Sequence, residues 1–372
     1  PAVAAFYGLG AQRLRTLLVE DSSLWIDARG RLFQVCEQLV PDAHAATESA
    51  ASEAVTATAP YELELTFQLH SQPGAERVIY LDFDGHVTSG TYWNSGYAAG
   101  ADIISAPFSI DADPTMFTDT ERATIQYIWM RVAEDFRPFN VDVTTEDPGI
   151  EALRRSNVGD TAYGVRCVIS PTADWLGQPA GGVAYVGSFN WSSDTPCFVF
   201  SAALYNSEKN IGEAAAHEIG HTLGLHHDGT TDGTAYYAGH GDWAPIMGVG
   251  YYRSITQWSR GEYALANNPE DDLAVMQNYG VGYVADDHGN TAGTATCLNG
   301  GALLEAVGTI ERSSDVDLFA FSTGTGTIHL NVDPAVRGPN LDIRAELYTA
   351  SGQLLAAADP AGLATALSAT VA

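Results

Sequence analysis

Apolar side chains recur every three to four positions between Thr118 and Pro138. Ile125, Ile128, Trp129, Val132 and Phe136 fall on one face of an α-helix, so that face is expected to be buried. Thr118 and Glu121 stand at capping-box spacing ahead of it, and Pro138 stops it. A second helical stretch, NIGEAAAHEIGHTLGL, opens at Asn210, the expected cap. Between and around these helices lie strand-like runs: ERVIYLDFDG, VDVTT, GVRCVIS and GGVAYVGSF. Strands interleaved with helices predict an α/β domain, a twisted and mostly parallel sheet packed on a backing helix and a second helix. Residues 1–40 read as short strands and turns. From about residue 283 the pattern changes to short strands separated by Gly, Ser and Asp turns, which predicts an all-β sandwich. The chain ends at Ala372 within strand-like sequence, so this sandwich is carried whole or in part.

The stretch PDAHAATESAASEAVTATAP, residues 41–60, has hardly any large apolar side chain and reads as an exposed linker open to nicking. Three units follow: 1–60, 61–282 and 283–372. A length of 372 residues with 45% hydrophobic and 17% charged residues supports sizeable cores and excludes global disorder. The net charge is −29 and Lys209 is the only lysine, which disfavours nucleic acid and anionic lipid as partners. No apolar run reaches the length of a membrane span. The chain starts at Pro1 without a signal pattern, and is read as processed or trimmed. The expectation is a secreted monomer.

HEIGHTLGLHHDG, residues 217–229, carries the chemistry. Residues four apart share a helix face, so His217 and His221 can offer two imidazoles to one metal ion. Glu218 sits one step round, able to reach a water on that metal without ligating it. Gly224 can adopt a left-handed conformation and end the helix, letting His227 return as a third ligand. Three neutral imidazoles suit zinc with a fourth position open for water, which Glu218 would deprotonate as it attacks a carbonyl. The full spacing arises by chance in roughly one chain in ten thousand, which sets aside a merely histidine-rich helix end. His226 competes with His227 as third ligand, but the spacing favours His227. Asp228 either orients a neighbouring histidine or caps the turn.

Twenty residues on, APIMGVGYY places Met247 in a tight turn. HExxHxxGxxH followed by such a methionine resembles the metzincin clan of zinc endopeptidases. The resemblance implies His217, His221 and His227 as zinc ligands, Glu218 as general base, and Met247 beneath the metal without ligating it. Several metzincins place a tyrosine two residues after this methionine. Here that position is Val249, which leaves Tyr251 as the candidate. GGVAYVGSF is placed as the edge strand above the cleft, to which a protein or peptide substrate could add. VAEDFRPFNVDVTTEDP is similar to the backing helix and strand of bacterial secreted metalloproteases. The likeness spans about residues 76–282. DDHGNTAGTAT and SSDVDLFAF resemble the bacterial pre-peptidase C-terminal domain.

Such a protease must be silent before export, and residues 1–60 fit a propeptide and linker. Cys36 could then be an inhibitory zinc ligand, a cysteine switch holding the zymogen latent. The competing readings are a buried strand cysteine and a disulfide with Cys297. The switch is preferred, because a lone thiol in an exported precursor is otherwise a liability. Cys167 and Cys197 lie in strand-like runs of one segment and are the expected disulfide pair, as an oxidising compartment permits. Asp82 and Asp84, Asp286, Asp287 and Asn290, and Asp315 and Asp317 offer oxygen ligands for structural calcium, against the plainer reading of solvated turns. Two rivals remain: a site whose third ligand is Glu262, and an extracellular matrix- or carbohydrate-binding protein with a vestigial zinc site. The presence of Glu218 argues against the second.

Overall fold

The computed structural model describes residues 1–37, 58–111, 113–359 and 365–371. The expected linker falls mostly on residues 38–57, outside the described residues. Helices α1 (Ala2–Phe6) and α2 (Ala11–Glu20) lead into a hairpin of β1 (Leu24–Ile26) and β2 (Leu32–Cys36). Strands were expected throughout this region. Leu14 and Leu17, three apart and both buried, give α2 a helical inner face instead.

The next elements are β3 (Arg77–Asp82), β4 (His86–Thr88), α3 (Tyr92–Tyr97), β5 (Ile103–Ser105), α4 (Asp119–Asp135), β6 (Asp142–Thr144), β7 (Tyr163–Ser170), β8 (Gly182–Tyr185), β9 (Cys197–Phe200), α5 (Glu208–Thr222) and α6 (Asp272–Gln277). Seven strands form one sheet in the order β1-β2-β8-β9-β7-β3-β6. The pairs β6–β3, β3–β7 and β7–β9 are parallel; β9–β8, β8–β2 and β2–β1 are antiparallel. The sheet is therefore mixed, not mostly parallel. The antiparallel half begins with β8 itself, which runs against β9, and the N-terminal hairpin extends it by adding to β8, the strand expected at the edge. The register is Phe33↔Tyr185, Gln34↔Ala184, Val35↔Val183 and Cys36↔Gly182.

One face of the sheet packs on α4 and α5, enclosing Ile79, Leu81, Ile125, Ile128, Val165 and Ile219. The capping box of α4 forms as expected: Thr118 accepts from the Glu121 N–H, and Glu121 accepts from the Thr118 N–H. The cap of α5 is Ser207, not Asn210; the Ser207 side chain accepts from the Asn210 N–H. The opposite face carries an aromatic core of Phe33, Trp93, Tyr185, Phe198 and Phe200, covered by the β4–α3–β5 excursion. No helix among the described residues is long and apolar enough to cross a membrane.

Cys167 and Cys197 are register partners on parallel neighbours β7 and β9, yet both are free thiols. Side chains on in-register parallel strands stand side by side and point the same way, and both cysteines are fully buried as small apolar side chains. Beyond residue 283 the described residues form short ladders and do not establish the expected sandwich. Three separate two-stranded ladders occur there, pairing 296–297 with 319–320, 326–332 with 365–371, and 345–348 with 354–358. A sandwich needs two apolar inner faces. Here the strand Gly326–Val332 has no fully buried position, and Leu347 and Leu367 are the only buried apolar side chains in the region among the described residues.

Candidate metal centre

Helix α5 ends where the sequence puts its glycine. The Leu225 N–H reaches the Gly220 carbonyl and the Gly224 N–H reaches that of His221, a Schellman pair with Gly224 at φ +91°. A side chain at Gly224 would also run into the Tyr279 ring. The reversal carries His227 back beneath His217 and His221. The Nε2 of His221 lies 3.1 Å from that of His217 and 3.0 Å from that of His227. Cys36 Sγ completes the group, 3.5 Å from the Nε2 atoms of both His221 and His227. All four side chains are buried.

The outer nitrogens fix the tautomers. His217 Nδ1 lies 2.8 Å from the Ile246 carbonyl, His221 Nδ1 2.8 Å from the Leu225 carbonyl, and His227 Nδ1 3.0 Å from the Asp21 carboxylate. Each Nδ1 therefore donates, and each Nε2 turns a lone pair inward. Burial, then neighbouring imidazoles, keep His217 and His221 neutral: His217 is lowered to about 3 and His221 lies well below its ordinary value. Three ring nitrogens converging at this distance suit a cation between them. Zinc bonds of about 2.0–2.1 Å to nitrogen and about 2.3 Å to sulfur, at tetrahedral angles, separate nitrogens by about 3.3 Å and nitrogen from sulfur by about 3.6 Å. The donor set fits zinc.

Glu218 is buried beside this group, with one oxygen unpaired among the described residues and the Cys36 thiol as neighbour. Burial pushes it up to about 8, partly offset by the thiol. Burial, then the Glu218 and Asp21 carboxylates, push the Cys36 thiol well above its ordinary value. Met247 is fully buried beneath α5, its sulfur filling the space a side chain at Gly220 would take. Tyr251 is half-buried, and its phenol is raised by burial first and then by Cys36 and Glu218, which places it beside the site.

Other candidates lie elsewhere. His226 faces Glu270 at 3.4 Å, and Glu262 pairs with Arg260 at 2.9 Å, so neither joins the group. Asp228 does not orient His227; its carboxyl borders Ser259 and Tyr263, and burial raises it to about 7. Cys297 is exposed and free, so it does not pair with Cys36. Asp82 is paired with Arg166 at 2.6 Å. The acidic runs near 286 and 315 do meet, as Asp286, Glu311 and Asp315 and as Asp287, His288 and Asp317.

Sequence reasoning missed four residues. Asp21 and Ser23 brace His227 Nδ1, at 3.0 and 3.1 Å. Burial alone would raise Asp21, but His227 beside it, with bonds from Ser23 and Gln34, holds its carboxyl well below the usual range. Nothing in their local pattern marks them; only the docking of the N-terminal segment does. The Tyr236 ring lies 4.3 Å from that of His227. Gly182 faces Glu218 so closely that an added Cβ would collide with the carboxylate. The Gly-Gly pair in a strand pattern was the available signal, since glycine there marks a close approach.

The family described as metallo-peptidase family M12B, reprolysin-like, matches the chain over residues 150–228, from just ahead of β7 to just past His227. No curated protein matches the chain significantly. The matched family is one of zinc metallopeptidases, and with the converging imidazoles it defines the class: the chain is a zinc metalloendopeptidase.

Proposed function

We propose that the chain is a secreted endopeptidase made as a latent zymogen, with residues 1–60 as propeptide and linker, residues 61–282 as catalytic domain and residues 283–372 as an accessory region. The observation that carries this reading is the meeting of three inward-facing imidazoles with a thiol from the N-terminal segment.

His217, His221 and His227 would hold the zinc, which when bound supplies Lewis acidity toward a peptide carbonyl and toward water. Glu218 takes a proton from the attacking water at its unpaired oxygen and returns it to the leaving amine. Met247 and Gly220 seat α5, Gly224 directs His227, and Tyr251 is the candidate donor toward a developing oxyanion. Cys36 keeps the precursor silent by filling the place a water would take, and a cut in the linker lets the hairpin leave.

The test is a chain lacking residues 1–57, loaded with zinc and given an unfolded protein. Cleavage should occur, vanish with a chelator and return with added zinc. No cleavage at full zinc content would overturn the reading. A finer check lies in β8. Gly182→Ala pushes a methyl group into the Glu218 carboxylate, and a misplacement of about 1 Å costs about a hundredfold in rate. That loss should appear with zinc content unchanged; rates within threefold of wild type would show that Glu218 tolerates the displacement.

A further inference from the structure

The β2 strand does more than deliver Cys36. Its alternate residues face opposite sides of the sheet: Gln34 and Cys36 point toward α5 and the metal group, while Phe33 and Val35 enter the aromatic core on the other face. The Phe33 ring lies 5.8 Å from Trp93, 5.9 Å from Tyr97 and 5.5 Å from Tyr185, the two nearer-perpendicular contacts being with Trp93 and Tyr97. None of these three partners belongs to the N-terminal segment, and they are held independently of Phe33. Trp93 and Tyr185 rings lie 4.1 Å apart, the Trp93 indole N–H donates to the Pro196 carbonyl at 2.8 Å, and a Thr91–Asn94 capping box fixes the start of α3.

We infer that this aromatic box is a substrate subsite that selects an aromatic side chain on the N-terminal side of the cut. The inference rests on the endopeptidase reading above. When the hairpin leaves, β8 presents free backbone groups, and an antiparallel peptide is the more stable addition. The ladder that sets Cys36 against Gly182 sets Phe33 against Tyr185. A peptide in that register, with one residue over the metal group, places the side chain three residues earlier in the box. The scissile bond flanks the residue over the metal, so the box reads the third or fourth residue before the cut. Aromatic edges and faces at these spacings favour another aromatic ring over an aliphatic chain of equal area.

The experiment uses the full chain carrying an inserted recognition sequence for a specific protease within residues 41–57, cut there. Two readouts run in parallel. Calorimetry measures binding of synthetic peptides of residues 24–37 with Cys36→Ala, with and without Phe33→Ala. Cleavage of a peptide library gives the preference at each position. Phe33→Ala should weaken binding about 10- to 100-fold, and the library should favour Phe, Tyr or Trp three or four residues before the cut by a similar factor. Tyr97→Ala should shrink the aromatic-to-alanine ratio to a few-fold, while Tyr97→Phe keeps it. Equal binding of the two peptides, or an aromatic preference only after the cut, overturns the subsite. Aromatic-dependent binding without any cleavage supports the subsite and overturns the endopeptidase reading instead.

Discussion

Glu218→Gln should lower kcat/KM on a peptide substrate by about 10²–10⁴-fold, the usual contribution of a positioned general acid–base group, while the zinc content stays at that of wild type. The imidazoles of the metal group are His217, His221 and His227, with outer nitrogens held by Ile246, Leu225 and Asp21, so Glu218 is not needed to build it. Glutamine keeps the shape that lies against Gly182 and loses only the capacity to carry a proton. Glu218 is buried with an unpaired oxygen, so the neutral isostere also escapes the cost of burying a charge, and the fold should be retained. Zinc content by elemental analysis, thermal unfolding and initial rates together decide the case. A variant within tenfold of wild type would assign the proton transfer elsewhere, with Tyr251 the nearest alternative. Loss of zinc along with activity would make Glu218 a structural part of the metal group.

The histidine spacing was legible because it depends on one helix and its stop. Period, capping and the left-handed glycine are local, and the structure reproduces the period in α4 and α5, the capping box in α4 and the turn at Gly224, with the cap of α5 moved to Ser207. What could not be read was pairing between distant segments. The β2–β8 ladder joins residues about 150 apart, and it alone turns the expected edge strand into an interior one. It also carries Asp21 and Ser23 to His227, contacts that span roughly 200 positions. Residues 11–20 were misread for a related reason: a short helix with Leu14 and Leu17 as its buried positions resembles a broken alternation when no longer period is available. Cys167 and Cys197 are neighbours, as expected of a pair, but the expected bond is absent: they meet as two free, buried thiols on parallel strands. For the C-terminal region, turn signals located short strands, while their pairing into ladders depends on contacts between segments that no local pattern carries.

Cys36→Ser in the uncut chain should speed autocatalytic conversion by at least about tenfold, yet leave activity below that of the cut form. On the proposed zymogen reading, two separate devices hold the precursor. The first is the thiol, whose sulfur stands 3.5 Å from two Nε2 atoms, a separation that matches a fourth tetrahedral ligand. Burial, then the Glu218 and Asp21 carboxylates, hold the Cys36 thiol well above its ordinary value, so its ligation would draw on the cation to lower it. Serine cannot replace it, since a hydroxyl is a far weaker ligand at neutral pH. The second device is the ladder, which keeps β8 covered whatever residue stands at 36, with Phe33 buried in its aromatic box. Removing the first but not the second should therefore give partial release. A gel time course reads the conversion rate. Cobalt substituted for zinc reads the ligand directly: the uncut wild-type chain should show a sulfur-to-metal charge-transfer band that Cys36→Ser lacks and that disappears when the linker is cut. A cobalt spectrum identical in wild type and Cys36→Ser, with latency unchanged, would reduce Cys36 to a buried strand cysteine and leave the ladder as the lock.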